Sequence, residues 1–401
     1  MEHHVRSLLG VAMILLSCTA CNPTEADIQS SVQWEIELAN LDGRTVTELP
    51  DRLDAEISDK LSVHAEIRIP EEKGNNEAAE LVVKRHVYSD REAEQNLEKL
   101  LAIHPDAGQN ALQEAEEYQS QEGEDGIERK NYDVELGEYS GVYSGAFGCS
   151  FTTKQSESLQ CVTIGGFHPE SYQFCYAQKQ ELGFGTWEEA WKQTASLVEN
   201  LGVDSIVDMQ CYTLDLTTLQ EKLAERHEQE ADYYFIYSAQ KAEYTSEDEA
   251  YLFEFNQGYD GIPFCRFQLM DALKKQDLGY GLWSDCSAIY SAAGLSDLWV
   301  SNLMDIQQIG KPERIVPLSD ILEQSIPALS RLATGETRIE VKEIDLCYLP
   351  VLKDASKMEF CAIPVWVVAY FQSNPFAGQE DGMIVTDKYD VFNAVTGERM
   401  Y

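Results

Sequence analysis

Cysteine offers the first chemistry in this chain. Cys18 and Cys21 close the apolar run Leu8–Leu16, with Ser17, Thr19 and Ala20 as small neighbours. A short apolar run ending in small residues is the pattern of a secretory signal. It is too short to cross a bilayer core, which takes about 20 residues. A cysteine at its end suggests lipoprotein processing, in which the thiol takes a diacylglycerol and cleavage leaves the cysteine first. Cys21 is small at both preceding positions, and Asn22-Pro23-Thr24-Glu25 reads as the start of a mature tether. Cys18 is the alternative, preceded by Leu15-Leu16-Ser17. A plain cleaved signal peptide is the third reading.

Eight cysteines follow the leader: Cys149, Cys161, Cys175, Cys211, Cys265, Cys286, Cys347 and Cys361. An even number outside the cytoplasm permits disulfides. Cys149 with Cys161, and Cys347 with Cys361, could each join neighbouring strands; the other reading is small buried hydrophobes. None of these eight forms a C-x-x-C pair, and no histidine has the spacing of H-E-x-x-H, so no metal and no cofactor are expected. His64 and His86 fall on polar strand faces, and His227 falls on a polar helix. Tyr139-Ser140-Gly141-Val142-Tyr143-Ser144-Gly145 resembles a serine-nucleophile region only superficially, because the G-x-S-x-G spacing and a strand-to-helix elbow are missing. Acidic side chains are too numerous for any two to be singled out as a glycosidase pair. Trp187 and Trp191 could line a carbohydrate site, but their i,i+4 spacing also suits a helix's buried face.

The chain has 401 residues, enough for two or three domains, and is 44% apolar. Lysine and arginine number 30 against 70 acids, for a net charge of −40. Such a surface repels phosphate backbones, which argues against a nucleic-acid partner. It is equally unsuited to lying on an anionic membrane, so the lipid would do the anchoring.

These residues need elements to position them. Leu53–Ile57 and Leu61–Ile69 alternate apolar with polar, which predicts a half-buried hairpin ended by Pro70. Leu81–Tyr88 reads as a third strand. Ser89 with Glu92 forms a capping box for a helix carrying Leu97, Leu100 and Leu101. A weaker helix is expected over about Asn110–Gln119, then a solvated acidic loop to Glu138. Tyr132–Tyr176 reads as strand throughout. Thr186 and Glu189 cap the clearest helix, which stops at Gly202. Beyond a boundary near 200–205 come a strand at Met209–Leu214, a helix at Thr218–His227 and further strands, including Tyr233–Ser238, Tyr251–Asn256, Tyr259–Phe267, Cys286–Ala293 and Leu298–Gln308. A helix from Ser319 to Leu332 and the strands Arg338–Tyr348, Cys361–Phe371 and Tyr389–Asn393 close the chain. The class is α+β: two domains of the same make, related or not, each of antiparallel sheet packed by one or two helices. The expected division is a leader at 1–20, a tether at 21–32, and domains at 33–203 and 204–401.

The closing segment carries a family signal. Tyr348-Leu349-Pro350, then Pro364-Val365-Trp366, then Asn393-Ala394-Val395-Thr396-Gly397 resemble the final sheet of the YycI/YycH regulatory proteins and of PepSY-like domains, over roughly the last 80 residues. By that likeness Trp366 packs on the preceding helix and Asn393-Ala394 ends a strand at a glycine turn. Those regulators carry a transmembrane helix, where this chain has a lipid leader. The whole chain also looks like a family of gut-bacterial lipoproteins with no assigned activity, through its Thr-Ala-Cys-x-Pro-Thr start and the strand Ala65–Pro70. The resulting expectation is a non-catalytic lipoprotein of the cell surface, with a binding or regulatory role toward an envelope partner. Alternatives are a small-molecule or glycan-binding lipoprotein and a carboxylate-dependent hydrolase of an envelope or dietary polymer.

Overall fold

The computed structural model describes residues 34–35, 37–69, 75–120, 128–137, 140–163, 176–229, 243–266, 285–354, 359–375 and 383–400. The leader, Cys18, Cys21, the tether, Cys175 and the strand expected at 233–238 lie outside them.

Alternation makes the first strands. Leu53, Ala55, Leu61, Val63, Ala65 and Ile67 are buried, and their neighbours face outward. They form β1 (Arg52–Ser58) and β2 (Leu61–Arg68), an antiparallel hairpin as expected. Next come β3 (Glu77–Ala78), β4 (Leu81–Arg85) and helix α1 (Asp90–Ile103). Ser89 and Glu92 form the expected capping box. The helix expected at 110–119 is instead a short 3-10 turn (Ala111–Gln113) followed by β5 (Glu116–Ser120). Its apolar stripe is too weak to hold a helix, and β5 gains a ladder with the next strand instead. That strand, β6 (Arg129–Gly137), occupies much of the expected acidic loop.

Strands β7 (Ser140–Gly145) and β8 (Gly148–Thr152) follow, then helix α2 (Lys154–Thr163) where continued strand was expected. Thr153 and Ser156 bond reciprocally at that helix start, chemistry that favours a helix entry over a ladder. Helix α3 (Trp187–Asn200) has its expected cap, and Gly202 (φ +90°) its left-handed stop. The remainder is β9 (Ile206–Leu214), α4 (Leu216–Gln229), β10 (Ala250–Tyr259), β11 (Ile262–Pro263), β12 (Asp285–Ser291), β13 (Gly294–Ser301), β14 (Met304–Ile309) and β15 (Glu313–Arg314). Helix α5 (Leu318–Leu332) and strands β16 (Arg338–Asp354), β17 (Glu359–Pro375) and β18 (Met383–Asn393) close the fold.

The class is α+β, built on two large, mainly antiparallel sheets. One runs β1-β2-β16-β17-β4-β14, with β18 also on β17. Its β2–β16 ladder is parallel. The other runs β10-β12-β13-β8-β7-β6-β5, with β9 and β11 also on β10. This corrects the expected boundary at 203/204. The first sheet joins residues 52–85 to residues 304–393, and the second spans 116–301. A cut at 203 would leave β5–β8 without the rest of their sheet, and β1, β2 and β4 without β16 and β17.

Helix α5 covers one face of the first sheet, burying Ile321, Leu322, Ile326 and Leu329 against Val63, Val341, Phe360 and Trp366. The Trp366 indole donates to Val316 O at 3.1 Å, beside the start of α5. Helices α1 and α3 cover one face of the second sheet, and α2 and α4 lie with the buried residues of its other face. No helix among the described residues is long and apolar enough to cross a membrane.

Candidate functional site

The uncovered face of the first sheet is half polar. Alternation sends Val63, Ala65 and Ile67 of β2 to α5, so His64, Glu66 and Arg68 point the other way. On β16 a bulge between Val341 and Glu343 puts Glu343 and Asp345 beside them. Asp345 pairs with Arg68 across the parallel ladder. The edge of the second sheet meets this face. The β10–β11 hairpin runs into it, with Phe264 bridging Tyr348 and Cys265 N–H donating to Tyr348 O at 2.7 Å.

Three strands and the hairpin exit thus bring a buried charge network to the seam. Arg266 bonds Glu343 and lies 3.5 Å from Asp345. Arg68 Nε lies 2.7 Å from Glu343 Oε1, in ion-pair contact though off the hydrogen-bond line. Arg68 Nη2 donates to Tyr212 Oη of β9 at 2.7 Å, across the seam. Its Nη1 has no hydrogen-bond partner among the described residues. Burial raises the Glu343 carboxyl, but Arg266 and Arg68 outweigh it and hold the group below its usual range. Burial and then the Glu343 charge push the Asp345 carboxyl well above it. Removing one partner from such a network costs about 3–5 kcal/mol, because a buried charge is left behind.

Above the network opens a cleft of about 1100 Å³. One wall is the first sheet, with Arg52, His64, Glu66, Arg68, Lys342 and Asp345. The other is β9 with Ile206–Gln210, flanked by Trp187, Trp191 and Glu199 of α3. Both tryptophans are half-buried on the second core, and both line the cleft. Their spacing thus serves the core and the cleft wall at once. Trp191 stacks at 5.4 Å on Phe253 and 5.5 Å on Phe255, and Lys179 Nζ sits 5.2 Å from the Trp187 ring.

The expected disulfide pairs do not meet. Cys347 and Cys361 lie on adjacent strands, but Cys347 faces Val365 while Cys361 faces Val351. That is four ladder positions of offset, roughly 13 Å, against the 4.4–6.8 Å Cα span of a disulfide. Both thiols are free, as is Cys149. Cys161 lies on helix α2 rather than on a strand beside Cys149, and its side chain is outside the described set. Cys347 instead contacts the thiol of Cys265. That hydrogen bond, with burial, raises its titration well above the usual thiol value.

Ser140 acquires neighbours that spacing could not reveal. Its hydroxyl donates to Asp106 Oδ2 at 3.1 Å, and His104 Nε2 lies 3.3 Å away. The residue types are those of a hydrolytic triad, but the proton directions are not. Asp106 N–H donates into His104 Nδ1 at 3.1 Å, so the proton sits on Nε2, which faces Thr152 O at 3.1 Å. A ring protonated at Nε2 cannot take the serine proton. This cluster ties α1 to β7 and β8. His64 on β2 bonds Asp54 and Glu56, and His86, just past β4, bonds Asp305; both rings are half-buried.

No protein-family model matches the sequence, and no curated protein does. Among solved structures, the crystal structure of an uncharacterized protein from Eubacterium rectale is similar. It has a TM-score of 0.71 and 21% identity, over 91% of this chain and 98% of that one. At that identity the likeness concerns the fold.

Proposed function

We propose that the protein is a lipid-anchored, non-catalytic binding protein of the cell surface, and that the cleft between its two sheets is the binding site. The observation carrying this reading is the cleft itself. It is concave, it lies where two sheets meet, and it sets two tryptophans opposite a row of fixed polar groups, which is how ligand sites are built. The buried network beneath keeps those polar groups in register.

The test is a thermal-shift panel on the chain from Asn22 onward, freed of the lipid-bearing cysteine, using neutral and charged oligosaccharides, amino acids and short peptides. One class should raise Tm, since a ligand of the folded state stabilises it by mass action. The shift should shrink in Trp187→Ala. If every member leaves Tm unchanged, or the shift survives Trp187→Ala intact, the cleft is not the site.

A second reading, a carboxylate-dependent hydrolase, draws on Asp345, whose carboxyl burial and Glu343 shift upward, lining the cleft with Asp208 of the facing sheet. Polymer cleavage abolished by both Asp345→Asn and Asp208→Asn would favour it. Binding without product favours the first reading.

A further inference from the structure

The cleft-facing wall of the second sheet is an open strand edge. The inner side of β9 is laddered to β10. Its outer side is occupied only toward its C-terminal end. There Thr213 N–H donates to Ala177 O at 2.7 Å and Lys179 N–H donates to Cys211 O at 3.1 Å, an antiparallel pairing centred on Gln178 and Tyr212. The pairing then stops. Lys179 takes a left-handed conformation (φ +53°), and Leu182 N–H is drawn off to the Tyr251 hydroxyl at 2.8 Å. In an antiparallel ladder each residue's N–H and C=O share a side, and the sides alternate. Cys211 and Thr213 point outward, so Met209 does too. No described residue pairs with it there, and Ile206–Gln210 lines the cleft without a break. Such an edge is a template for another strand.

The charges say what kind of strand. Of the cleft's cations, Arg52, Arg68, Arg266 and Lys342 each already sit in an ion pair with this chain's Asp54, Glu343 or Glu340, and Lys179 is held over the Trp187 ring. Asp51, Glu199 and Asp208 line the same space with no cation partner among the described residues. The chain's net charge of −40 steers cations toward it.

We propose that the cleft binds an extended peptide segment bearing Lys or Arg side chains, which adds to the Met209 edge of β9 as a further strand. This rests on the cleft being the binding site. Backbone hydrogen bonds to Met209 supply affinity, and alternate side chains supply selectivity. One set reaches Asp208. The other reaches Glu199 and the tryptophans of α3.

The test uses fluorescence anisotropy with a dye-labelled peptide alternating Lys and Val, about nine residues long to span the edge. Controls are its Glu counterpart and two copies N-methylated on alternate residues, one in each phase. The Lys peptide should bind, the Glu peptide should not, and rising salt should weaken binding. One methylated phase should lose about tenfold or more, the loss of a backbone bond or two, while the other binds normally. Met209→Pro should act like the damaging phase, because it deletes an outward N–H and leaves the β10 ladder intact. The methylated peptides decide the matter even if that variant folds poorly. Equal binding of both methylated phases, or of the Glu peptide, overturns strand addition. Failure of every peptide, with a panel compound still raising Tm through Trp187, overturns the peptide class and leaves the cleft as a site. Silence in both assays removes both readings.

Discussion

Asp345 holds its proton past the usual carboxylate range, at a seam crowded with charge. In the unfolded chain that proton leaves near pH 4, as for any aspartate. In the fold, burial and the neighbouring Glu343 keep it on to well above that value. The folded state therefore binds more protons across the interval. The stabilisation from this group is complete below about pH 4 and is lost as pH rises through the raised value. Glu343 runs the other way: its titration is lowered, so its contribution is lost as pH falls. Asp345→Asn keeps the shape and removes one titration. Urea midpoints taken from about pH 5 to 8 should fall less steeply in the variant than in the wild type. Parallel curves would mean that Asp345 is ionised in the fold. Little of this site was legible residue by residue. Arg68 reads as one more polar residue in an alternating strand. The available signal was Glu343 and Asp345, two carboxylates in a strand that runs on apolar from Leu346 to Leu352. A charge there must be paired with something, and only the fold says that the partners are Arg68 and Arg266.

Elements were legible where local chemistry decides them. The β1–β2 hairpin follows from strict alternation, and α1 and α3 follow from their caps and stripes. Helix α3 shows what a cap does for the site. The Thr186 hydroxyl accepts Glu189 N–H at 3.3 Å, and Glu188 and Glu189 suit the positive end of the helix dipole. Thr186→Ala should cost about 1 kcal/mol. The loosening should show first as faster amide exchange over Trp187–Ala190, the turn that carries Trp187 into the cleft, with β9 and β10 little changed. Uniform acceleration through the second sheet would instead mean that the cap supports the whole layer. Elements were illegible where a partner decides them. β5 is a strand because β6 lies beside it, and Glu116–Ser120 alone carries no such message. The outer edge of β9 is a case of the same kind, since its openness depends on where Lys179 turns away.

At the scale of the molecule, the two halves expected from sequence give way to two sheets that each draw on distant parts of the chain. The alternation of β2 predicts a buried face but says nothing of β16. The sheets are then fastened at one seam, by the β10–β11 hairpin and the Arg68–Tyr212 contact, so the cleft cannot be detached with either sheet alone. Location is a property of the whole chain as well. With Cys21 as the proposed lipid site, Cys21→Ala should move the protein from the membrane fraction to the medium, as read by fractionation and immunoblot. Retention at the membrane in Cys21→Ala, and release only in Cys18→Ala, would assign the alternative cysteine.

The parallel β2–β16 ladder has a consequence in time. It joins Leu61 to Ile339, a closure of about 280 residues. A chain made from its N-terminus completes β2 early and β16 nearly last. At about 5–20 residues per second, the hairpin waits for tens of seconds with its apolar face uncovered. A two-stranded hairpin is marginal by itself, so β1 and β2 spend that interval unformed or shielded by something else. The first residues of the sheet to be synthesised are among the last to be committed, and the charged wall of the cleft forms only when the chain is almost complete.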